Sequence, residues 1–447
     1  VPLENLTTTP ELRASAGRRR NSSLETQRIT PGALQDYTAM GWSASGKTYK
    51  NGDLLLVKEK SPDEILENRV WCCLHRFGYG DLNIDRNFKI EIATSNEKVV
   101  KKQIDVFAKD DETVIVIECK TAEDIKRKSL QKDIGEFDSL KKPISDAIRK
   151  HYGKDFKPKI LWAFVISKIE LSESDRARLA AQGTHLISDR ELTYIEDLSR
   201  KLGRAGRQQF LAEYLGGQKI PALQDRKVPA IRTKIGGRHA YVFSATASEI
   251  LKIAFVNHRD LKDPQGVPSY QRLIKPDRIA KIADYIADKG FFPNSILINF
   301  KKKVRFEMAL QSDNPDTRFG YLYLPETYKS CMVVDGQHRL YGCAVLKEGV
   351  QSPNLMFIAF EQMESAQEAV LFATINREQR PVDKKLLDEL DGDLKWDSDE
   401  PHERMQAIAS RAIDLLNGKY GSPFLERVVS PGFKTTENRP LTLPEVR

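Results

Sequence analysis

The rhythm of apolar and polar positions changes several times along the chain, and each change marks a boundary. Residues 1 to about 60 are rich in Thr, Ser, Arg and Gly and show no sustained period until Leu54 to Val57, so 1–60 is read as an N-terminal arm or cap. At Ser61 a helical period begins. Ser61-Pro62-Asp63-Glu64 forms a capping box with proline at the first helical position, and Ile65, Leu66, Val70, Cys73, Leu74 and Phe77 make an apolar stripe that stops at Gly78. Strand-like segments follow at 88–93, 103–108 and 113–119, then a Lys-rich helical stretch at 124–151 and a strong strand at 159–167. Helices at 172–182 and 189–201 bracket a short strand, His185-Leu186-Ile187. This order predicts a mixed α/β domain over 61–202.

Glycines, prolines and basic residues crowd 203–238, which is read as a linker, and a second domain is expected over 239–447. Its predicted elements are a helix at 276–289, a strand at 295–300, an irregular stretch to 328 and a strand at 331–334 running into Asp335-Gly336. A helix follows the Asp-Gly pair, then a strand at 355–360 and helices at 364–375 and 401–417. The fold class expected for the whole is therefore α/β in the α+β sense. The first residue is not Met, and Pro444-Glu445 reads as the first turn of a helix, so truncation at the C-terminus is expected.

Composition narrows the function classes. With 447 residues, 40% hydrophobic and 30% charged, the chain holds enough apolar mass for two or three cores, which excludes a single small domain. The 71 Lys+Arg against 63 Asp+Glu give a net charge of +8, compatible with a polyanionic partner without selecting one. Five cysteines without a C-x-x-C pair argue against a disulfide framework or a zinc ribbon. The longest apolar runs fall far short of the roughly 20 residues of a membrane span. Arg18-Arg19-Arg20 leads into Asn-Ser-Ser rather than an apolar segment, so no secretory signal is read and a cytoplasmic location is expected, with no membrane partner.

Two constellations carry candidate chemistry. The first lies where the second and third strands of the first domain flank the polar turn Lys109-Asp-Asp-Glu112. A hairpin centred on Asp110-Asp111 would set Asp105 opposite Val116, leaving Asp105 diagonal to Glu118 at about 7–8 Å with Lys120 two residues on. Ile104, Val106, Ile115 and Ile117 would share the other, buried face. Two carboxylates so placed can share Mg²⁺ or Mn²⁺ while the ion accepts a phosphate oxygen, and Lys120 can orient a water or neutralise developing charge. Glu67 is the better candidate for a third acid, Glu64 being engaged in capping. The competing reading is a solvated hairpin with edge charges. These residues resemble the PD-(D/E)XK restriction-endonuclease-like nucleases, whose core carries an acidic helix, a strand Asp, a strand E-x-K and a basic helix. The resemblance covers about 60–200 and implies a mixed sheet flanked by helices, a metal-dependent deoxyribonuclease activity, Asp105 and Glu118 as metal ligands, and Lys120 and Glu67 as catalytic partners. Lys126, Arg127, Lys128, Lys141 and Lys142 form a basic face that could track a DNA backbone.

The second constellation is the strand-to-helix junction Asp335-Gly336-Gln337-His338-Arg339. Free N–H groups there, with His338 and Arg339, suit phosphate or another anion. A helix cap by Asp335 with Arg339 in a structural ion pair fits the same residues. The five-residue string resembles the DGQHR-domain proteins, including DndB-like proteins linked to DNA phosphorothioation, over about 239–440, with supporting matches at Tyr270-Gln-Arg272 and Asn376-Arg-Glu-Gln379. That resemblance implies a ParB/sulfiredoxin-like domain in which Asp335, Gln337, His338, Arg339, Asn376 and Gln379 line a nucleotide or phosphate pocket. Gln337 stands where sulfiredoxins place Cys, which disfavours sulfinic acid reduction. Together the two resemblances imply a nuclease coupled to a DNA-sensing domain in DNA-modification-linked or anti-phage defence, acting on DNA, including phosphorothioate-modified DNA, and compatible with homo-oligomers. The alternatives are a non-catalytic DNA-binding regulator and a nucleotide-hydrolysing switch. Gly41 to Thr48 fits G-x-x-x-x-G-K-[ST] letter for letter but lacks a preceding buried strand and a following helix, so a nucleotide loop is not read there. Lys301-Lys302-Lys303 reads as a solvated run within reach of DNA.

Overall fold

The computed structural model describes residues 3–6, 12, 15–17, 19, 23–86, 88–93, 99–256, 276–346, 350–379, 396, 399–419, 421–429, 440–442 and 446. Its elements form two compact units, 1–200 and 201–447.

In the first unit, Leu24–Ile29, Ser43–Thr48 and Leu54–Glu59 build a three-stranded antiparallel sheet within the segment read as an arm or cap. Gly41 to Thr48 therefore leads into an exposed strand, not a phosphate-cradling loop. Helix α1 (Pro62–Arg76) starts where the Ser61 hydroxyl accepts the Glu64 N–H at 3.3 Å. It buries Leu66, Val70, Trp71, Cys73 and Leu74, each worth about 1.5–3 kcal/mol of apolar transfer where the side chain is large. A mixed five-stranded sheet runs in the order His185–Ile187, β3 (Lys159–Glu170), β2 (Thr113–Arg127), β1 (Val106–Lys109), Asp81–Leu82. β2 and β3 are parallel and joined by α2 (Gln131–Tyr152), whose Ile134, Phe137, Ile144, Ala147 and Ile148 are buried in a core that also takes in Phe107, Val114 and Val116.

Three sequence expectations change. The predicted strand at 103–108 breaks at Ile104-Asp105: Val99–Gln103 pairs with Lys89–Ala93 in another sheet, and only β1 joins the central one. The helix predicted from 124 starts at Gln131, because β2 continues to Arg127, paired with Glu170 of β3. Finally, residues 106–108 and 113–117 are all buried, so the hairpin has two covered faces rather than one.

The second unit starts before the expected boundary. Residues 203–238 are no linker: Gly206–Leu215 is a helix with Phe210, Leu211 and Tyr214 buried, and β4 (Lys227–Ile235) is an interior strand. Gly and Pro cluster there because the segment turns repeatedly between short elements. The eight-stranded sheet runs Ala254–Phe255, β9 (Cys331–Asp335), β6 (Ile296–Phe300), β10 (Asn354–Glu361), β5 (Arg238–Thr246), β4, β8 (Arg318–Tyr323), β7 (Phe306–Gln311). β7 and β8 lie in the stretch expected to be irregular. β7 is exposed along its length and bulges between Met308 and Leu310, and the outer face of β8 carries Phe319 and Tyr321, so neither strand shows a clean apolar–polar alternation. Helix α3 (Pro276–Ala287) packs against α4 (Gln337–Ala344) so closely that a Cβ on Gly342 would come within 2.3 Å of Ile282. Among the described residues no helix is long and apolar enough to cross a membrane.

Candidate functional site

The hairpin turn fixes the first site. Asp110 Oδ1 accepts from Glu112 N (2.8 Å), Thr113 N (2.6 Å) and Thr113 Oγ1 (3.0 Å), while Asp110 N donates to Thr113 O at 3.0 Å. This Asx-type closure centres the turn on Asp111-Glu112, one residue later than expected, and moves the register by two. Val106 pairs with Ile117 and Phe107 with Val116. One step beyond the last pair, Asp105 falls across from Glu118, not Val116. Phe107, Val114 and Val116 face the α2 core, so Glu118 and Lys120, two and four residues on from Val116, follow on the α2 side, whereas Asp105 lies past the end of the ladder.

At Asp105 the ladder opens. Asp105 Oδ2 accepts the Cys119 N–H at 2.8 Å, replacing a backbone acceptor. Asn83, fully buried, donates to the Asp105 carbonyl at 3.1 Å and accepts the Phe107 N–H at 3.1 Å, locking the strand start. Oδ1 of Asp105 and Oε2 of Glu118 make no hydrogen bond among the described residues. Lys120 Nζ lies 3.0 Å from Glu118 Oε1 and 3.2 Å from Asp133 Oδ1 in the first turn of α2.

Electrostatics follow from that crowding. Burial and the neighbouring Asp105 charge push the Glu118 carboxyl up to about 7, against the opposing pull of Lys120. Burial raises Asp105 as well, although the Cys119 N–H favours its charged form. Burial disfavours the Lys120 ammonium, yet Glu118 and Asp133 hold it above the ordinary lysine range. Glu67 is only 2% exposed and takes a bidentate ion pair from Arg86 at 2.8 and 2.7 Å; burial still lifts it to about 7, with Asp105 adding to the rise. The sequence-predicted acid Glu67 is thus engaged by Arg86.

Asp105 and Glu118 form a donor set of two hard carboxylates whose charged states are disfavoured by burial and, for Glu118, by its neighbour's charge. A divalent ion would offset that penalty, and Mg²⁺ is commonly held by one or two carboxylates, so the residues fit the ion. Among the described residues no group of three or more His, Cys, Asp or Glu converges on one metal position. Sequence reasoning missed Asn83, Arg86 and Asp133. Only Asp133 left a signal, as the acid in the first turn of the helix that follows the E-x-K strand.

The second site is more self-contained. Gly336, at φ +91°, turns β9 into α4 without a side-chain cap, so Asp335 does not cap the helix. Arg339 Nη1 donates to Asn294 O at 2.6 Å and Nη2 to Ser295 O at 3.1 Å, with Asp335 Oδ2 at 3.5 Å. Its guanidinium therefore clamps the backbone entering β6 and pairs with Asp335, as the ion-pair half of the structural reading expects, while the cap expected of Asp335 is absent. Gln337 is buried and His338 half-buried. Asn376 and Gln379 lie in the helix Ser365–Gln379, but their side chains fall outside the described residues, as does Tyr270-Gln-Arg272 altogether. Lys301 bonds the buried Glu368 at 2.9 and 3.1 Å, so only Lys302 and Lys303 of the basic run stand exposed.

No curated protein matches the chain. Among solved structures, VC1899 from Vibrio cholerae is similar at 16% identity over 43% of this chain and 50% of its own, with a TM-score of 0.24. The chain thus spans half the length of that relative. AF1548, titled a protein of unknown function, is similar at 17% identity over 32% of this chain and 81% of its own, with a TM-score of 0.21. At such scores neither likeness bears on fold or function. Residues 228–415 match the model of the DndB family, described as DNA-sulfur modification-associated, so the DndB-like character expected from Asp335 to Arg339 is borne out for that segment.

Proposed function

We propose that the chain is a divalent-metal-dependent deoxyribonuclease associated with DNA sulfur modification, its first unit carrying the chemistry and its DndB-like segment directing it to DNA. One observation carries this reading: the observed register brings Asp105 across from Glu118, beside Lys120, with both carboxyls raised by burial. Asp105 and Glu118 would hold Mg²⁺ or Mn²⁺, which when bound polarises a phosphate and acidifies a water. The Cys119 N–H fixes one oxygen of Asp105 and leaves the other for the ion. Lys120, steered by Asp133, supplies a fixed positive charge beside the scissile phosphate. Arg86 pairs with Glu67 and offsets part of the repulsion between that acid and Asp105.

The test is cleavage of phosphorothioate-modified and unmodified DNA in Mg²⁺ by the wild type and Glu118→Ala. Cleavage should require the metal and disappear in the variant; full cleavage by pure Glu118→Ala would refute the site. A second reading, a non-catalytic regulator, is favoured by the engagement of Lys120 with two carboxylates and of Glu67 with Arg86. It predicts a gel shift with no cleavage in any metal.

A further inference from the structure

Toward β4 and β8 the eight-stranded sheet has one face covered and the other open, and the edge strand β7 is exposed on both. Along β4 the burial alternates: Val228 and Ala230 are buried, whereas Lys227, Pro229 and Ile231 are exposed. Register places Ile231, Phe319 and Leu310 in one row across the three strands, and Pro229, Tyr321 and Glu307 in the next. Phe319 is 39% exposed, Tyr321 38% and Leu310 64%. Adjacent rings on one strand face stand about 7 Å apart, two residues along the pleat.

Cations sit against these rings. Lys227 Nζ lies 4.7 Å from the Tyr321 ring centre and 5.8 Å from that of Tyr323, and the Arg305 guanidinium lies 4.1 Å over Tyr323. Lys302 and Lys303 are exposed in the turn that leads into β7. The acid in these rows, Glu307, is occupied by the Tyr323 hydroxyl at 2.7 Å and by Lys227 at 3.8 Å. Further along, Asp316 is neutralised by Lys234 at 2.7 Å.

We propose that this open sheet face binds single-stranded nucleic acid, with bases stacking on Phe319 and Tyr321 and the sugar-phosphate backbone running along Lys227, Lys302, Lys303 and Arg305. Flat exposed rings flanked by cations are the pairing that single strands offer and need: an accessible base face and a phosphate at every step. A duplex hides its base faces, and the Lys227 ammonium packed on the rings suits a phosphate backbone better than a protein partner, whose contact centre is depleted of lysine. This surface is separate from the carboxylate site and does not depend on its catalytic reading.

The test is fluorescence anisotropy of a labelled oligothymidylate with the full chain at low salt. Phe319→Ala and Tyr321→Ala should each weaken binding about tenfold. Phe319→Leu, which keeps apolar area but removes the ring, should weaken it similarly while melting like the wild type. Arg305→Ala should lower the slope of log affinity against log salt by about 0.7. Binding is read in EDTA, where metal-dependent cleavage is off, so loss of cleavage and loss of strand binding are read separately. Three results would overturn the proposal: no binding of oligothymidylate, equal binding by Phe319→Leu, or competition by duplex as strong as by single strand. Sedimentation that shows a dimer dissociated by Phe319→Ala, with oligonucleotide binding unchanged, would assign the face to a second copy instead.

Discussion

Glu118→Gln tests the carboxylate site through stability rather than turnover. In the folded chain the Glu118 carboxyl titrates near 7 instead of 4.5, with burial and the Asp105 charge outweighing Lys120. Between those values the native state holds a proton that the unfolded chain has released, so stability falls as pH rises through the window. At 1.36 kcal/mol for each pH unit, the displacement is worth at most about 3 kcal/mol, shared with Asp105 because the two charges oppose each other. Gln keeps the shape and removes the titration. Urea unfolding of wild type and variant from pH 4 to 8 should therefore give a difference that moves in favour of Glu118→Gln by about 1–3 kcal/mol as pH passes from about 4.5 to 7. At pH 8, Mg²⁺ should raise the wild-type midpoint and leave that of the variant in place. A stability difference independent of pH, or equal stabilisation of both proteins by Mg²⁺, would refute the picture of two opposed buried carboxylates.

Asp110→Ala removes three acceptor contacts that set the turn and should cost about 1–3 kcal/mol in denaturant unfolding, with weaker exchange protection at Val106 and Ile117. Glu67→Ala leaves Arg86 without its carboxylate; because that side chain is 42% exposed, the expected loss is about 2 kcal/mol rather than the 3–5 of a fully buried pair, read by chemical denaturation. Gly336→Ala must hold φ +91° and bring a Cβ within 3.0 Å of Arg339 Nη2 and Ile296 Cγ1, so it should destabilise by more than about 1 kcal/mol. Gly80→Ala, where a Cβ meets nothing within 4 Å, should be near neutral in the same thermal melts.

Where apolar periodicity was strong, the chain's order alone carried the fold: α1 and the two parallel strands with a helix between them are present in the expected order, although β2 runs on to Arg127 and delays the helix to Gln131. β9 with the sharp turn at Gly336 stands close to where the pattern puts it, because a left-handed residue at a strand end needs glycine. Asp105, Glu118 and Lys120 were legible as single polar residues inside apolar strands. Their relation was not, since the register depends on which side chain closes the turn, and Asp110 moved it by two residues. Nor could sequence choose the role of Arg339: the Asn294 and Ser295 carbonyls that claim it lie some forty-five positions away. The 203–238 segment misled for a related reason, since turn residues look alike whether they separate domains or join strands of one sheet. Composition and local period thus decide which residues meet water and which do not, whereas partners distant in the chain decide which charges face one another, because only packing brings them within a few ångströms.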